Sequence, residues 1–220
     1  MDFYVQALPF LAEGLLATIA LTAAAALLAV LLSLLAGLAR LAPTRWLRWP
    51  AAVYVETFRG TSALVQLFWF YFVLPFFGVQ LGAFAAGVLV LGLNTGAYGS
   101  EVVRGAIQAV PRGQREAAQA LNLTRLQALR RIVLPQALPA MLPPAGNLAI
   151  ELLKNTALVS LITITELTFS AQILRAETLR SAEIFSLVLA LYFAVALAIT
   201  GLVRFLERRA SPGLAQGSAG

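Results

Sequence analysis

Ionisable residues stand inside otherwise apolar sequence at Glu56, Arg59, Glu101, Glu151 and Lys154. Glu56 and Arg59 are three residues apart, as are Glu151 and Lys154, a spacing that shares one helix face. Two readings stay open. Either pair neutralises itself within a bundle, or the groups line a path for a solute. A zwitterionic solute needs an anionic group for its cation and a donor for its carboxylate. Glu151 and Lys154 supply both kinds of group, together with Asn155, Thr156, Gln66 and, less centrally, Arg59. Glu101 and Arg104 are expected at the edge of a span, anchoring it. Covalent catalysis is not the chemistry on offer. The chain has no His and no Cys, which removes His-based acid–base work, Cys nucleophiles and Cys/His zinc sites. Neither G-x-S-x-G nor G-x-x-x-x-G-K-[ST] occurs, so the chain is expected to bind no ATP, metal or other cofactor itself.

The elements that must position these groups follow from composition. Of 220 residues 60% are hydrophobic and 12% charged, with mean hydropathy +0.84. A soluble domain is nearer 45–50% apolar and about 25% charged, so the reading is an all-α polytopic membrane protein. Residues 14–39, 60–100, 132–150 and 184–203 carry no charge. A bilayer core takes about 20 apolar residues as a helix. The run 60–100 would be about 60 Å long as one helix, so it must fold back, and Leu74-Pro75-Phe76-Phe77-Gly78-Val79-Gln80-Leu81-Gly82 marks the turn. Prolines 135, 139, 143 and 144 argue against a straight helix before about residue 141. Five transmembrane helices result, at about 14–38, 52–74, 84–106, 141–163 and 183–205. The aromatic run Phe68–Phe72 reads as lipid-facing bulk and interface anchoring, with some rings available as apolar walls of a solute site.

Twelve of the sixteen basic residues fall on one side of these spans. They are expected to be cytoplasmic, which puts the N-terminus outside and the C-terminus inside. The net charge of +6 is then topology, and no nucleic-acid partner is expected. No basic segment precedes the first apolar run, so that run is expected to stay as an anchor. Residues 1–209 form the membrane domain, and 210–220 (ASPGLAQGSAG) are expected to be a disordered tail.

The most informative connection is the cytoplasmic loop at about 107–140. Helix formers run from Arg115 to Leu121, Asn122 interrupts, and Thr124 is placed to cap a second short helix that Leu134-Pro135 ends. Ala117 and Ala118 would let another surface approach closely. Glu116-Ala117-Ala118, then Asn122, then Ile132-x-Leu134-Pro135, resembles the EAA loop (EAA-x3-G-x9-I-x-LP) of binding-protein-dependent ABC importer permeases. Asn122 stands in the glycine place, where a bend needs positive φ and Asn is the next most tolerant residue. Flanking stretches are similar to the polar amino acid (histidine/glutamine-type) branch: Tyr98–Gly105, Val110–Gln114, Phe58-Arg59-Gly60-Thr61 with Leu64-Val65-Gln66, and Lys154-Asn155-Thr156. Ser62 departs from that branch's usual proline. Arg59–Ser62, Ala120–Thr124, Leu142–Pro144 and Ala157–Ile162 look closest to the ectoine/hydroxyectoine permeases.

The resemblance spans residues 9–209 and implies a type I ABC importer fold in a bacterial plasma (inner) membrane. It implies a coupling helix at Glu116, Ala117, Ala118, Asn122, Leu134 and Pro135 that meets separate ATPase subunits, which bind the ATP and Mg. A second permease, identical or sister, and an external solute-binding protein complete the machine, and a polar amino acid or related zwitterion crosses by ATP-driven alternating access. The competing reading is a non-transporting scaffold that recruits a cytoplasmic partner through its basic loop.

Overall fold

The structure is a computed structural model that describes residues 2–210, with side chains from Ala7 onward. Residues 211–220, most of the expected disordered tail, lie outside the described residues, and Ala210 belongs to the last helix. Among the described residues every regular element is helical. Three helices are long and apolar enough to cross a membrane: α1 (Asp2–Arg40), α4 (Ala83–Ala109) and α9 (Ser181–Ala210). Two further spans arise if each of two bent helix pairs is counted as one.

The first bent pair corrects the expectation of one helix over 52–74. Helix α2 (Arg45–Gly60) stops at Thr61, and α3 (Ala63–Phe68) leaves at 106° to it. Thr61 and Ser62 are extended, and Ser62 opens α3. From α3 the chain runs through a π turn at Trp69–Val73 and a 3-10 turn at Leu74–Phe77 to Gly78, whose φ of 83° makes the expected reversal.

The second pair corrects the reading of the prolines. Helix α7 (Leu134–Asn155) holds Pro139, Pro143 and Pro144 inside it. A proline frees the carbonyl four residues back. Pro135, Pro139 and Pro143 are four apart, so three of the freed carbonyls fall in one column. That column lies on a face where Pro135 and Pro143 are exposed and Pro139 is half-buried. A π turn at Leu129–Val133 enters α7 from α6 (Arg125–Ala128), so Leu134-Pro135 continues the chain of helical turns instead of ending it. After α7 come a 3-10 segment, Thr156–Ile162, and α8 (Leu167–Thr178), set at 53°. The sequence reading did not foresee α8.

Helices α1 and α4 form the spine. They run parallel, and glycines let their backbones close in: Gly87 faces Leu21, Gly92 faces Leu28, Gly96 faces Leu32, and Gly99 faces Ser33. Without a hydrophobic drive between helices in lipid, such small-residue contact is a main source of packing. Leu21, Ala25, Val90, Leu91 and Leu152 fill the centre. A second cluster, Val103, Ile107, Val133 and Met141, holds the ends of α1, α4 and α7 together beneath the hairpin of α5 (Arg112–Ala120) and α6, and a third joins α1, α8 and α9 through Leu11, Leu167 and Ile184.

Candidate functional site

The hairpin that carries Glu116 is built from α5 (Arg112–Ala120) and α6. Its turn is a closed hydrogen-bond motif. Leu123 N–H donates to the Ala118 carbonyl at 3.0 Å, and Asn122 N–H donates to the Gln119 carbonyl at 2.9 Å. That six-to-one and five-to-two pairing is a Schellman motif, which requires a left-handed residue just past the helix. Asn122 fills that position with φ 54°. Thr124 then caps α6 in a reciprocal box: Gln127 N–H donates to its Oγ1 at 3.3 Å, and Thr124 N–H donates to Gln127 Oε1 at 2.9 Å.

Two bonds fix the hairpin against the spans. Arg115 Nη2 donates to the Ile107 carbonyl at 2.5 Å, and Gln136 Nε2 donates to Gln114 Oε1 at 3.3 Å. The alanine pair, expected to let another surface approach closely, divides its labour. Ala118 is fully buried, whereas Ala117 and Glu116 are exposed. Leu134 is half-buried in the second cluster and Pro135 is exposed. Leu121 (71% exposed) and Leu126 (56%) add apolar area to the same hairpin, so its outer face offers a carboxylate, a small residue and two leucines to a partner.

The in-span charges do not pair as their spacing suggests. Glu101 is a hub that bonds Arg40, accepts from Arg104 Nη2 at 2.6 Å and lies 3.7 Å from Arg59. Glu56 approaches Arg40, at 3.6 Å, instead of Arg59, and the Arg59 guanidinium sits 5.3 Å above the Tyr98 ring. The network therefore ties α1, α2 and α4 across three elements. Glu151 and Lys154 form no bridge with each other among the described residues, and both are exposed on α7. Thr156 is buried, with its hydroxyl donating to the Leu153 carbonyl at 2.6 Å. Asn155 is half-buried beside it. Lys154 lines a groove of about 460 Å³ between α7 and α9, with Tyr192 on its wall.

Gln66 does a different job from the one expected. Its Nε2 donates to the Phe58 carbonyl at 3.0 Å and to Thr61 Oγ1 at 2.7 Å, and its Oε1 accepts from Asn94 Nδ2 at 3.1 Å. Asn94 also donates to the Phe58 carbonyl, at 2.9 Å. The two amides thus satisfy the backbone where α2 breaks, which a membrane interior requires. Gln66 is a clamp on the break, and its donors are not free for a solute. Asn94 escaped the sequence reading, although an asparagine in an apolar run is itself a signal of a buried polar contact.

Glu166 escaped as well. It is fully buried and caps α8, accepting from the N–H groups of Thr168 and Phe169 at 2.8 Å each. Tyr192 on α9 donates to it at 3.0 Å and Thr18 on α1 at 3.4 Å. One carboxylate therefore joins three helices.

Comparison with known proteins follows the same lines. Residues 29–212 match the family described as binding-protein-dependent transport system inner membrane component. A probable amino-acid ABC transporter permease of Sinorhizobium fredii is 52% identical over 161 residues, covering 70% of this chain and 68% of that one. The glutamine transport system permease of Escherichia coli is 40% identical over 161 residues, covering 72% and 74%. Among solved structures, an amino acid ABC transporter crystallised with histidines has a chain 38% identical, with TM-score 0.86, covering 93% of this chain and 96% of that one.

Proposed function

The chain belongs to the family of binding-protein-dependent transport system inner membrane components, and from that premise we propose how its residues divide the work of import. It is the permease subunit of an amino-acid ABC importer, with the fold of the type I permeases, and the ATPase activity resides in a separate subunit. The outer face of the α5–α6 hairpin is the contact for that ATPase. The carrying observation is the Schellman-closed turn at Asn122, which presents Glu116, Ala117 and Leu121 outward while Ala118 is buried and Arg115 ties the hairpin to α4. A push on so tightly fixed a hairpin reaches α1, α4 and α7 through the Val103–Ile107–Val133–Met141 cluster.

Glu151 and Lys154 supply the argument for a second permease. Charges left exposed within a spanning helix are costly in lipid and face a protein interior or an aqueous cavity instead. The open face of α7 is therefore covered by a second permease copy or sister, and the path lies between them. Glu151, Lys154 and Asn155 on that path meet the ammonium and carboxylate of a polar amino acid or related zwitterion, a class that includes ectoine and hydroxyectoine. An external binding protein delivers the solute, ATP and Mg sit on the ATPase subunits, and the basic end of the bundle faces the cytoplasm of a bacterial cell. Gln66 and Arg59 act on the path indirectly, through the α2 break and the Glu101 hub.

Co-purification tests the contact. Glu116→Lys with Ala117→Trp is expected to release the ATPase from detergent-solubilised complex while the permease keeps its melting temperature. Retention of the ATPase at native stoichiometry would remove the hairpin from the contact. The scaffold reading would instead leave Glu151→Ala without effect on solute uptake.

A further inference from the structure

The start of α2 and the ends of α1 and α4 enclose a cavity of about 890 Å³ that the transport reading leaves without a role. Four guanidinium-bearing residues line it: Arg40, Arg45, Arg48 and Arg104. No carboxylate is in its lining. Arg40 and Arg104 are held from behind by Glu101, and Arg40 also by Glu56, with side-chain exposures of 18% and 33%. Arg45 and Arg48 open α2, whose first turn has no acidic residue, and both are exposed. Within the Glu101 network three arginines face two carboxylates, and Arg45 and Arg48 add to an excess already present. Like charges gathered this closely call for an anion.

Trp46 and Trp49 stand on the rim, 91% and 71% exposed. Tryptophan concentrates at the membrane–water boundary, where an amphipathic ring fits. The level of the cavity agrees. The uncharged run of α1 ends at Arg40, and the apolar Ala51, Ala52 and Val53 follow the tryptophans along α2. The guanidinium groups therefore lie at the depth of lipid phosphates, and the indole rings lie beside the first carbons of the acyl chains.

We propose that this cavity binds the phosphate headgroup of an anionic phospholipid, with Arg45 and Arg48 as its mobile contacts and Arg40 and Arg104 as its fixed ones. Basic pockets at the cytoplasmic side of spanning helices bind such headgroups. A bound phosphate balances the charge left over by the Glu101 network and so steadies the junction of α1, α2 and α4.

The test uses the assembled transporter in nanodiscs. Trp69 is the third of this chain's three tryptophans, so the signal of Trp46 and Trp49 is the difference in quenching between a Trp69→Phe complex and the same complex with Trp46→Phe and Trp49→Phe added. The probes are phosphatidylglycerol and phosphatidylcholine brominated on the acyl chains. Brominated phosphatidylglycerol is expected to quench at a several-fold lower mole fraction than brominated phosphatidylcholine. That preference should fall about five-fold for each arginine lost in Arg45→Ala and Arg48→Ala, and Arg45→Lys with Arg48→Lys should keep most of it. Equal quenching by the two lipids overturns the proposal. So does a preference erased by millimolar inorganic phosphate, which would make this a free-anion site. Silence with both lipids also overturns it, because the ATPase subunit would then cover the cavity.

Discussion

Asn122 isolates a backbone conformation from side-chain chemistry, because its conformation is left-handed and the turn is closed by backbone N–H groups. An ordinary L-residue pays roughly 1–2 kcal/mol in that region, and Asn pays less. Glycine pays no steric cost there. The Schellman bonds from Leu123 and Asn122 hold only while φ stays positive. Replacement therefore works against the closed hairpin by about 1 kcal/mol for Asn122→Ala and about 2 kcal/mol for Asn122→Val, whose branched Cβ is worse still. If the hairpin must be closed to dock, the ATPase dissociation constant rises with the open fraction, by at most about five-fold for Ala and at most about thirty-fold for Val. Asn122→Gly should bind as the native residue does, or slightly tighter. The assay is titration of labelled ATPase onto the permease in nanodiscs, with ATP-driven uptake followed in parallel. The order Gly, Asn, Ala, Val is the prediction. Native affinity for Asn122→Val refutes the reasoning, as does weaker binding by Asn122→Gly than by Asn122→Ala.

Three further changes probe the positioning of the helices. A Cβ at Gly99 would overlap Ser33 Oγ and lie 3.0 Å from Ser33 Cβ, so Gly99→Ala should cost about 1–3 kcal/mol of stability by overpacking. Adding Ser33→Ala should return part of that loss in thermal melts. Gln66→Leu strips the Phe58 and Thr61 carbonyls of a donor and should lose about 1–3 kcal/mol, with lower uptake at unchanged ATPase binding. Glu166→Ala removes the cap of α8 and its ties to Thr18 and Tyr192. A cost of about 1–2 kcal/mol and faster amide exchange over 167–171 are expected.

Much of the architecture is local enough to read from sequence. Charge-free runs locate α1, α4 and α9, and the Pro75–Gly82 turn is written in residues that demand it. Asn122 is legible because one residue type meets one backbone requirement, and Thr124 because a cap needs only its own turn. What escapes depends on distant partners. Glu166 gives no local sign of burial, because its cage comes from Thr18 and Tyr192, on helices far away in the chain. Spacing pairs Glu56 with Arg59, yet Arg40 from α1 reaches Glu56 and Glu101 from α4 takes Arg59. The break at Thr61–Ser62 contains no proline and is held open by amides on α3 and α4. The prolines of α7 mislead in the opposite direction, since their lost bonds collect on one face of the helix. The α5–α6 hairpin is thus mostly a sequence feature, whereas the charge network is a product of packing.

Reconstituted uptake tests the central claim most directly. Proteoliposomes holding this chain, its sister permease if there is one and the ATPase, with the binding protein outside and ATP inside, should accumulate a polar amino acid or ectoine against its gradient. Glu116→Lys with Ala117→Trp should abolish accumulation, and Glu151→Ala should lower it with ATP hydrolysis intact. Accumulation that persists without ATP, or none with ATP for any polar amino acid or ectoine, would contradict the account.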